Sequence, residues 1–438
     1  MGASVLTQQA PAPSAAHPLV AALDVGVAKT VCLAARRDPV LELHPERPLR
    51  ILGVGVQSAP AVASGKAADF DACARAIRVA VDQAERMAGE TITHVVAAYA
   101  GPGIEGRLLR GAARLPRGEV GPRETQAALN AAIQSAPAPG RTILYAAPLR
   151  YRLDGELTAR DSVLGKKGRM LAVEACVVTA PAAAIEALCA CVREAGVEIE
   201  NVIAAPYAAA LAALTREECA QGALVLDFGA GGTGLAAFGP DGLTHAETIA
   251  LGGVRMTRDL AARLETTFAA AERAKLVFGA IGRNFDPREA VETPRLGPDG
   301  RLEAAMALRG AIAEALHPRF AEIVMIARDR LAAAGLTGAD APRRAVLIGG
   351  GALLPGAREL ASDILGMPVR VGQPFELCGF EAGEAAPAFA GAAGMLRWRL
   401  DHADLAPGAS PEAATLWDAA AAMRQAAARA WGWLRENF

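Results

Sequence analysis

ALVLDFGAGGTGLAAF, residues 223–238, reads as a buried strand ending on Asp227, a turn through Gly229, Gly231 and Gly232, and a second strand. A strand that ends in a carboxylate and runs into a glycine turn sets backbone N–H groups and one negative charge at a single sheet edge. Phosphate oxygens call for the N–H groups, and a hydrated divalent cation calls for the carboxylate. The same signature occurs about 200 residues earlier, in LVAALDVGVAKTVCLAA at residues 19–35, with Asp24, Gly26 and Lys29. Each turn alone is equally what an ordinary hairpin looks like. Their repetition points to a duplicated α/β domain.

A third element follows a strand and opens a helix: LIGGGALLPG, residues 347–356. There Gly349, Gly350 and Gly351 let a base and ribose lie against the backbone. The alternative is close helix–strand packing. Taken in order, the three elements predict a nucleotide held between two domains.

Outward from these motifs, residues 1–17 are Ala/Pro/Gln-rich and predict disorder. Residues 70–87 have helical apolar spacing after a strand at 51–56, and residues 93–98 form the next strand. Residues 103–170 are richer in Arg, Gly and Pro and read as an insertion containing one helix at 122–134. Strand 171–179, helix 181–195 and strand 199–204 resume the first domain. Residues 401–415 read as a linker, and 416–438 as a final helix.

Lys+Arg 45 against Asp+Glu 47 leaves a formal charge of -2 and no basic excess for nucleic acid. None of the 7 cysteines forms a C-x-x-C pair or a metal-ligand spacing with His, so they read as reduced thiols. No charged segment with an apolar core suggests a secretory signal, Leu6 spoils the acylation pattern begun by Met1-Gly2, and no stretch approaches a spanning helix. A cytoplasmic protein is expected.

Of 4 tryptophans, Trp417, Trp431 and Trp433 fall in the terminal segment. At helical spacing Leu416, Ala420, Met423, Ala427, Trp431, Leu434 and Phe438 share one face, with Arg424 and Arg435 near its rim. That composition suits a membrane interface, where arginine stems reach toward headgroups. An ordinary packed helix is the alternative.

These motifs resemble the actin/Hsp70/sugar-kinase superfamily and, within it, the FtsA family, from about residue 17 to 400 and again through the terminal helix. The resemblance implies an actin-like pair of ribonuclease-H-type domains. It divides the chain into domain 1A (18–102, 171–212 and 381–400), an FtsA-type insert 1C (103–170), domain 2A (213–257 and 341–380) and domain 2B (258–340). It implies ATP in the cleft, with Mg²⁺ held through water by Asp24 and Asp227, and assigns Glu272 and Lys275 to the purine and ribose; a solvated helix face is their alternative. In ALHPRFAEIV, residues 315–324, it reads the family's signature helix start and matches Arg319 and Glu322 to positions contacting the FtsZ C-terminal peptide. Those two could equally be a surface ion pair one turn apart.

Three departures stand out. Val27 follows the first-motif glycine where Ser or Thr is usual. Gly232 and Gly234 stand in the second motif where Thr and Asp are frequent, with Thr233 one position late. Ala204 and Ala205 precede Pro206, where hydrolysing relatives such as MreB carry Glu, which implies weak or absent hydrolysis. The function implied is a self-polymerising cell-division protein tethering FtsZ to the cytoplasmic face of the inner membrane. The rivals are a PilM-like pilus scaffold, which should lack the terminal helix, and a metabolic kinase, for which no sugar-facing Asp base is found.

Overall fold

The computed structural model describes residues 18–402 except 38–48, 59–69, 137–138, 283–284, 375–376, 378 and 380–382. The two sheets are built alike. In the first, β1 (Val20–Val25), β2 (Lys29–Arg37) and β3 (Leu49–Ser58) form an antiparallel meander. Helix α1 (Phe70–Ala88) then crosses to β4 (His94–Tyr99), parallel to β1.

The insertion follows as β5 (Glu105–Arg114), α2 (Pro122–Gln134), β6 (Arg141–Leu153), β7 (Glu156–Thr158) and β8 (Met170–Pro181). The chain returns through α3 (Ala182–Glu194) to β9 (Glu198–Ala204), parallel to β4, and leaves by α4 (Ala205–Ala213) and α5 (Arg216–Gln221).

The second sheet repeats this order with β10 (Ala223–Phe228), β11 (Thr233–Gly239) and β12 (Gly242–Ile249) as its meander. Helices α6 (Gly253–Arg263) and α7 (Phe268–Phe278) lead to two small hairpins, β13 (Ala290–Glu292) with β16 (Met306–Leu308) and β14 (Arg295–Leu296) with β15 (Leu302–Glu303). Helix α8 (Arg309–Ala333) brings the chain to β17 (Arg344–Ile348), parallel to β10; α9 (Ala357–Leu365), β18 (Val369–Val371) and α10 (Ala390–Asp401) complete it. The orders β3-β2-β1-β4-β9 and β12-β11-β10-β17-β18 are the same topology, so the duplication expected from the two Asp–Gly signatures is present.

Their central strands read as continuous apolar runs because both faces are covered. Leu23, Cys32 and Val95 pack outward on Ile77, Val81 and Val192 of α1 and α3. Ala22, Leu33 and Val96 face inward, where α4 and α10 lie between the two lobes with Val225, Val346 and Ile348 of the second sheet. The outer face of that sheet buries Leu224, Leu226 and Leu347 against Phe320 and Ile323 of α8. No described helix is long and apolar enough to cross a membrane.

Three boundaries differ from the sequence reading. The insertion closes at Pro181 rather than 170, because β8 pairs along its length with β5 and β6. The loss of Arg/Gly/Pro composition marks the middle of that sheet, not its end. The break expected at 257/258 falls inside α6. Finally, residues 315–324 do not start a helix: α8 begins at Arg309 and carries Pro318 in its interior.

The lobes meet where α4 crosses α10, and both helices are Ala/Gly-rich at the crossing. A Cβ on Gly394 would lie 1.6 Å from the Ala208 carbonyl oxygen, so backbone touches backbone. In Gly394→Ala the gain in helix propensity is about 0.5–1 kcal/mol. Parting the helices costs about 1–3 kcal/mol, so the overlap wins. The urea-unfolding midpoint is expected to fall, and a midpoint at or above the parent's would contradict the contact.

Candidate functional site

The two hairpins and the third glycine element converge on one cleft of about 980 Å³ between the lobes. Asp24, Gly26, Lys29, Asp227, Gly229, Gly231, Gly232, Glu272, Lys275, Gly349, Gly350 and Gly351 all line it. Each hairpin places its Asp at the end of the first strand: Asp24 opposite Val31, and Asp227 opposite Gly234. The first turn is closed by the Gly26 N–H on the Lys29 carbonyl at 3.0 Å.

The second turn is pinned from outside. Gly253 and Val254 at the start of α6 donate their N–H groups to the carbonyls of Gly229 and Ala230 at 3.0 and 2.9 Å. With those carbonyls held away, the turn can offer N–H groups to an anion. Reading the glycines alone missed this support, although the Gly252-Gly253 pair after β12 signals it. The tips of the two hairpins touch: a Cβ on Gly231 would lie 2.5 Å from Val27 Cγ2. Val27, where a hydroxyl was expected, therefore closes the cleft by packing across it.

Gly349 has φ of +81, and a Cβ there would come within 2.5 Å of Asp227 Oδ1. Only glycine carries the loop past that carboxylate without strain. Gly350 faces open space. Thr233 does not substitute for the displaced motif threonine, because its buried hydroxyl donates to the Leu251 carbonyl at 2.8 Å.

The far end of the cleft is apolar, with Phe268, Ala269, Leu276, Leu353 and Leu354. Glu272 and Lys275 stand beside it, but the Lys275 ammonium turns inward. It donates to Glu272 Oε2 at 2.8 Å, Thr257 Oγ1 at 2.8 Å and the Gly253 carbonyl at 3.2 Å. Thr257 also bonds Glu272. In this arrangement the pair ties α7 to α6.

The charges define what the cleft can take. Asp24 and Asp227 are half-buried and open toward the cleft they line. Loss of bulk water pushes the Asp227 carboxyl up to about 7, and the neighbouring Asp24 charge adds to the rise. Burial raises Asp24 too, against the pull of Lys29. Burial lowers the Lys29 ammonium, with both carboxylates opposing. Two undersolvated carboxylates with one ammonium leave negative charge that a divalent cation and its water shell can satisfy. The donor set thus fits a polyphosphate with a hydrated cation.

The partner residues lie elsewhere. Arg319 on α8 is clamped by Asp259 of α6, Nε to Oδ2 at 2.7 Å, and by Glu322 on its own helix. The Asp259 bond, then its charge, holds the guanidinium pKa above its usual value. The ion pair of Arg319 and Glu322 therefore exists, extended by a third residue that sequence did not reveal. Trp431, Leu434, Arg435 and Phe438 lie outside the described residues.

With this geometry in hand, comparison with known proteins decides the family. The chain is 34% identical over 391 residues to "Cell division protein FtsA" of Rhizobium meliloti (strain 1021), covering 88% of each chain. The chain belongs to the FtsA family. FtsA of Agrobacterium fabrum (strain C58 / ATCC 33970) is 35% identical over 383 residues, 86% of each chain. FtsA of Bacillus subtilis (strain 168) is 30% identical over 363, or 82% of this chain and 79% of that one. A family profile described as Cell division protein FtsA matches residues 224–394, which span β10 to α10.

The fold is similar to that of a "PilM-PilN type IV pilus biogenesis complex" chain, with TM-score 0.61, 21% identity and 86% and 98% of the two chains covered. It is also similar to MreB5 of Spiroplasma citri bound to ADP, with TM-score 0.51, 15% identity and 87% and 96% covered. This FtsA-family chain therefore has the actin-like fold and is a cell-division protein.

The raised Asp227 carboxyl sets a pH dependence in the ligand-free protein. Its folded value of about 7 exceeds the ordinary 3.8, so the fold holds the proton more tightly than the unfolded chain does. Stability is unpenalised below about pH 4, falls as pH rises toward 7, and levels off above it. Asp227→Asn is expected to melt higher than the parent at pH 8, with the two curves converging near pH 4. A parent that melts as high as the variant at pH 8 would contradict the electrostatics.

Proposed function

We propose that this chain binds ATP with Mg²⁺ in the interlobe cleft, self-assembles, and tethers FtsZ filaments to the cytoplasmic face of the inner membrane at the division site. The observation that carries the nucleotide reading is the facing pair Asp24 and Asp227, each at the head of a glycine turn and, among the described residues, neither held in a direct ion pair. The hairpin turns would hold the phosphates, Lys29 would pair with them, and the apolar end beyond Gly349–Gly351 would take the base. Bound Mg²⁺ would neutralise phosphate charge, reached through water by the two carboxylates. The fold neighbour MreB5 of Spiroplasma citri, bound to ADP in one structure and AMPPNP in another, supports this assignment.

Slow or absent hydrolysis belongs to the same reading. The start of α4 presents Ala205 and Pro206 to the cleft, and neither can orient a water. For FtsZ, the Asp259–Arg319–Glu322 cluster on α6 and α8 would grip a short acidic peptide by exchanging one carboxylate partner for another. Membrane attachment rests on the apolar stripe of residues 416–438. Burying Trp431, Leu434 and Phe438 contributes about 1.5–3 kcal/mol each before ordering costs, so a polymer gains firmness through avidity. The pilus-scaffold and kinase readings are left with likeness of fold alone.

Asp227→Ala is expected to abolish Mg-ATP binding by titration calorimetry, and an affinity like the parent's would overturn the cleft assignment. A second experiment separates the two attachments by co-sedimenting the protein and FtsZ with anionic liposomes. Arg319→Glu should stay on the liposomes and leave FtsZ behind, while Trp431→Glu should release both and still bind ATP. Retention of FtsZ by Arg319→Glu would return that residue to a surface ion pair. Retention on liposomes by Trp431→Glu would make the terminal helix a packing element.

A further inference from the structure

Residues 387–391, at the entry to α10, carry no glycine-turn signature, yet they touch two of the three elements of the cleft, the first hairpin and the third glycine loop. The Pro387 carbonyl accepts the Gly349 N–H at 3.0 Å. Gly391 approaches so closely that a Cβ there would stand 3.2 Å from Asp24 Oδ2. Between them is Phe389, with the Lys29 ammonium 3.7 Å above its ring centroid.

An ammonium beside two undersolvated carboxylates would ordinarily close a direct ion pair with one of them. Among the described residues Lys29 feels the charge of Asp24 and Asp227 but bonds neither, and its head rests on the ring. A ring attracts a cation without carrying a charge that a phosphate must displace.

We infer that Phe389 is a positioning residue for Lys29. Its ring seats the ammonium clear of both carboxylates, which leaves Asp24 and Asp227 open to the water shell of a divalent cation and leaves Lys29 free to meet phosphate. This rests on the nucleotide reading above. One helix start sets the geometry, since Gly391 fixes the distance to Asp24 and Phe389 fixes the seat. Without the ring, Lys29 closes on Asp24, and Mg-nucleotide must break that pair to enter.

The test uses the full chain and a fluorescent ATP analogue with Mg²⁺. Phe389→Leu keeps an apolar side chain but no π face, and should need about five- to tenfold more Mg-nucleotide for half-saturation. Phe389→Tyr should restore binding to within about twofold, because it keeps the ring. In a Lys29→Met background, Phe389→Leu should have no further effect. Parent-like binding by Phe389→Leu overturns the inference, as does an equal loss with and without Lys29, which would mean that the ring only packs. If the parent itself fails to bind, the nucleotide reading falls separately. Urea unfolding of the ligand-free single and double variants then decides the seat: non-additive losses support it, and additive losses overturn it.

Discussion

Two carboxylates face each other across the meeting line of two lobes, and among the described residues neither is held in a direct ion pair. Asp24 and Asp227 occupy equivalent ends of duplicated strands, so the apposed lobes bring like charges together in a cleft where both are partly desolvated. One ammonium, itself disfavoured by burial, offsets only part of that charge. The ligand-free fold therefore carries a local electrostatic cost, which a polyphosphate–cation complex in the proposed site would relieve.

The remaining architecture holds that pair at the right separation. The Ala/Gly crossing of α4 and α10 sets how near the lobes come, with the carbonyl of Ala208 against Gly394. At the other end of the cleft, Val27 and Gly231 meet tip to tip. The third loop passes Asp227 at Gly349 and is tied to residue 387 by a backbone bond, so the glycine loop, the carboxylate end of the cleft and the interlobe helix are mechanically continuous. The insertion extends the second sheet through the Glu105–Glu247 bridge, and the Tyr145 ring packs at a tilt against Tyr207 of α4.

What sequence disclosed was local and periodic. Asp24, Gly26, Asp227, Gly229 and Gly349–Gly351 could be read because strand, turn and helix start are short-range patterns whose order survives in one dimension. What it hid was decided by tertiary partners. The direction of the Lys275 head depends on Thr257, eighteen residues away on another helix, and the fate of the Thr233 hydroxyl depends on the Leu251 carbonyl. Asp259 was invisible as the partner of Arg319 for the same reason. Phe389 had no signal at all, because an aromatic before a helix usually only packs. The boundary at 170 differs because composition changes at the start of β8, whereas that strand stays hydrogen-bonded to β5 and β6 and its pairing continues to Pro181. The stripe of residues 416–438 is clear as a period, and it lies outside the described residues.

A crystal structure of the full chain grown with Mg-AMPPNP tests the central claim most directly. The account predicts phosphates seated between the turn at 26–29 and the turn at 229–232, a hydrated Mg²⁺ whose waters bridge to Asp24 and Asp227, and the base against Leu276 and Leu354. A nucleotide bound elsewhere, or a cleft in which both carboxylates stay bare while nucleotide is present in excess, would contradict it.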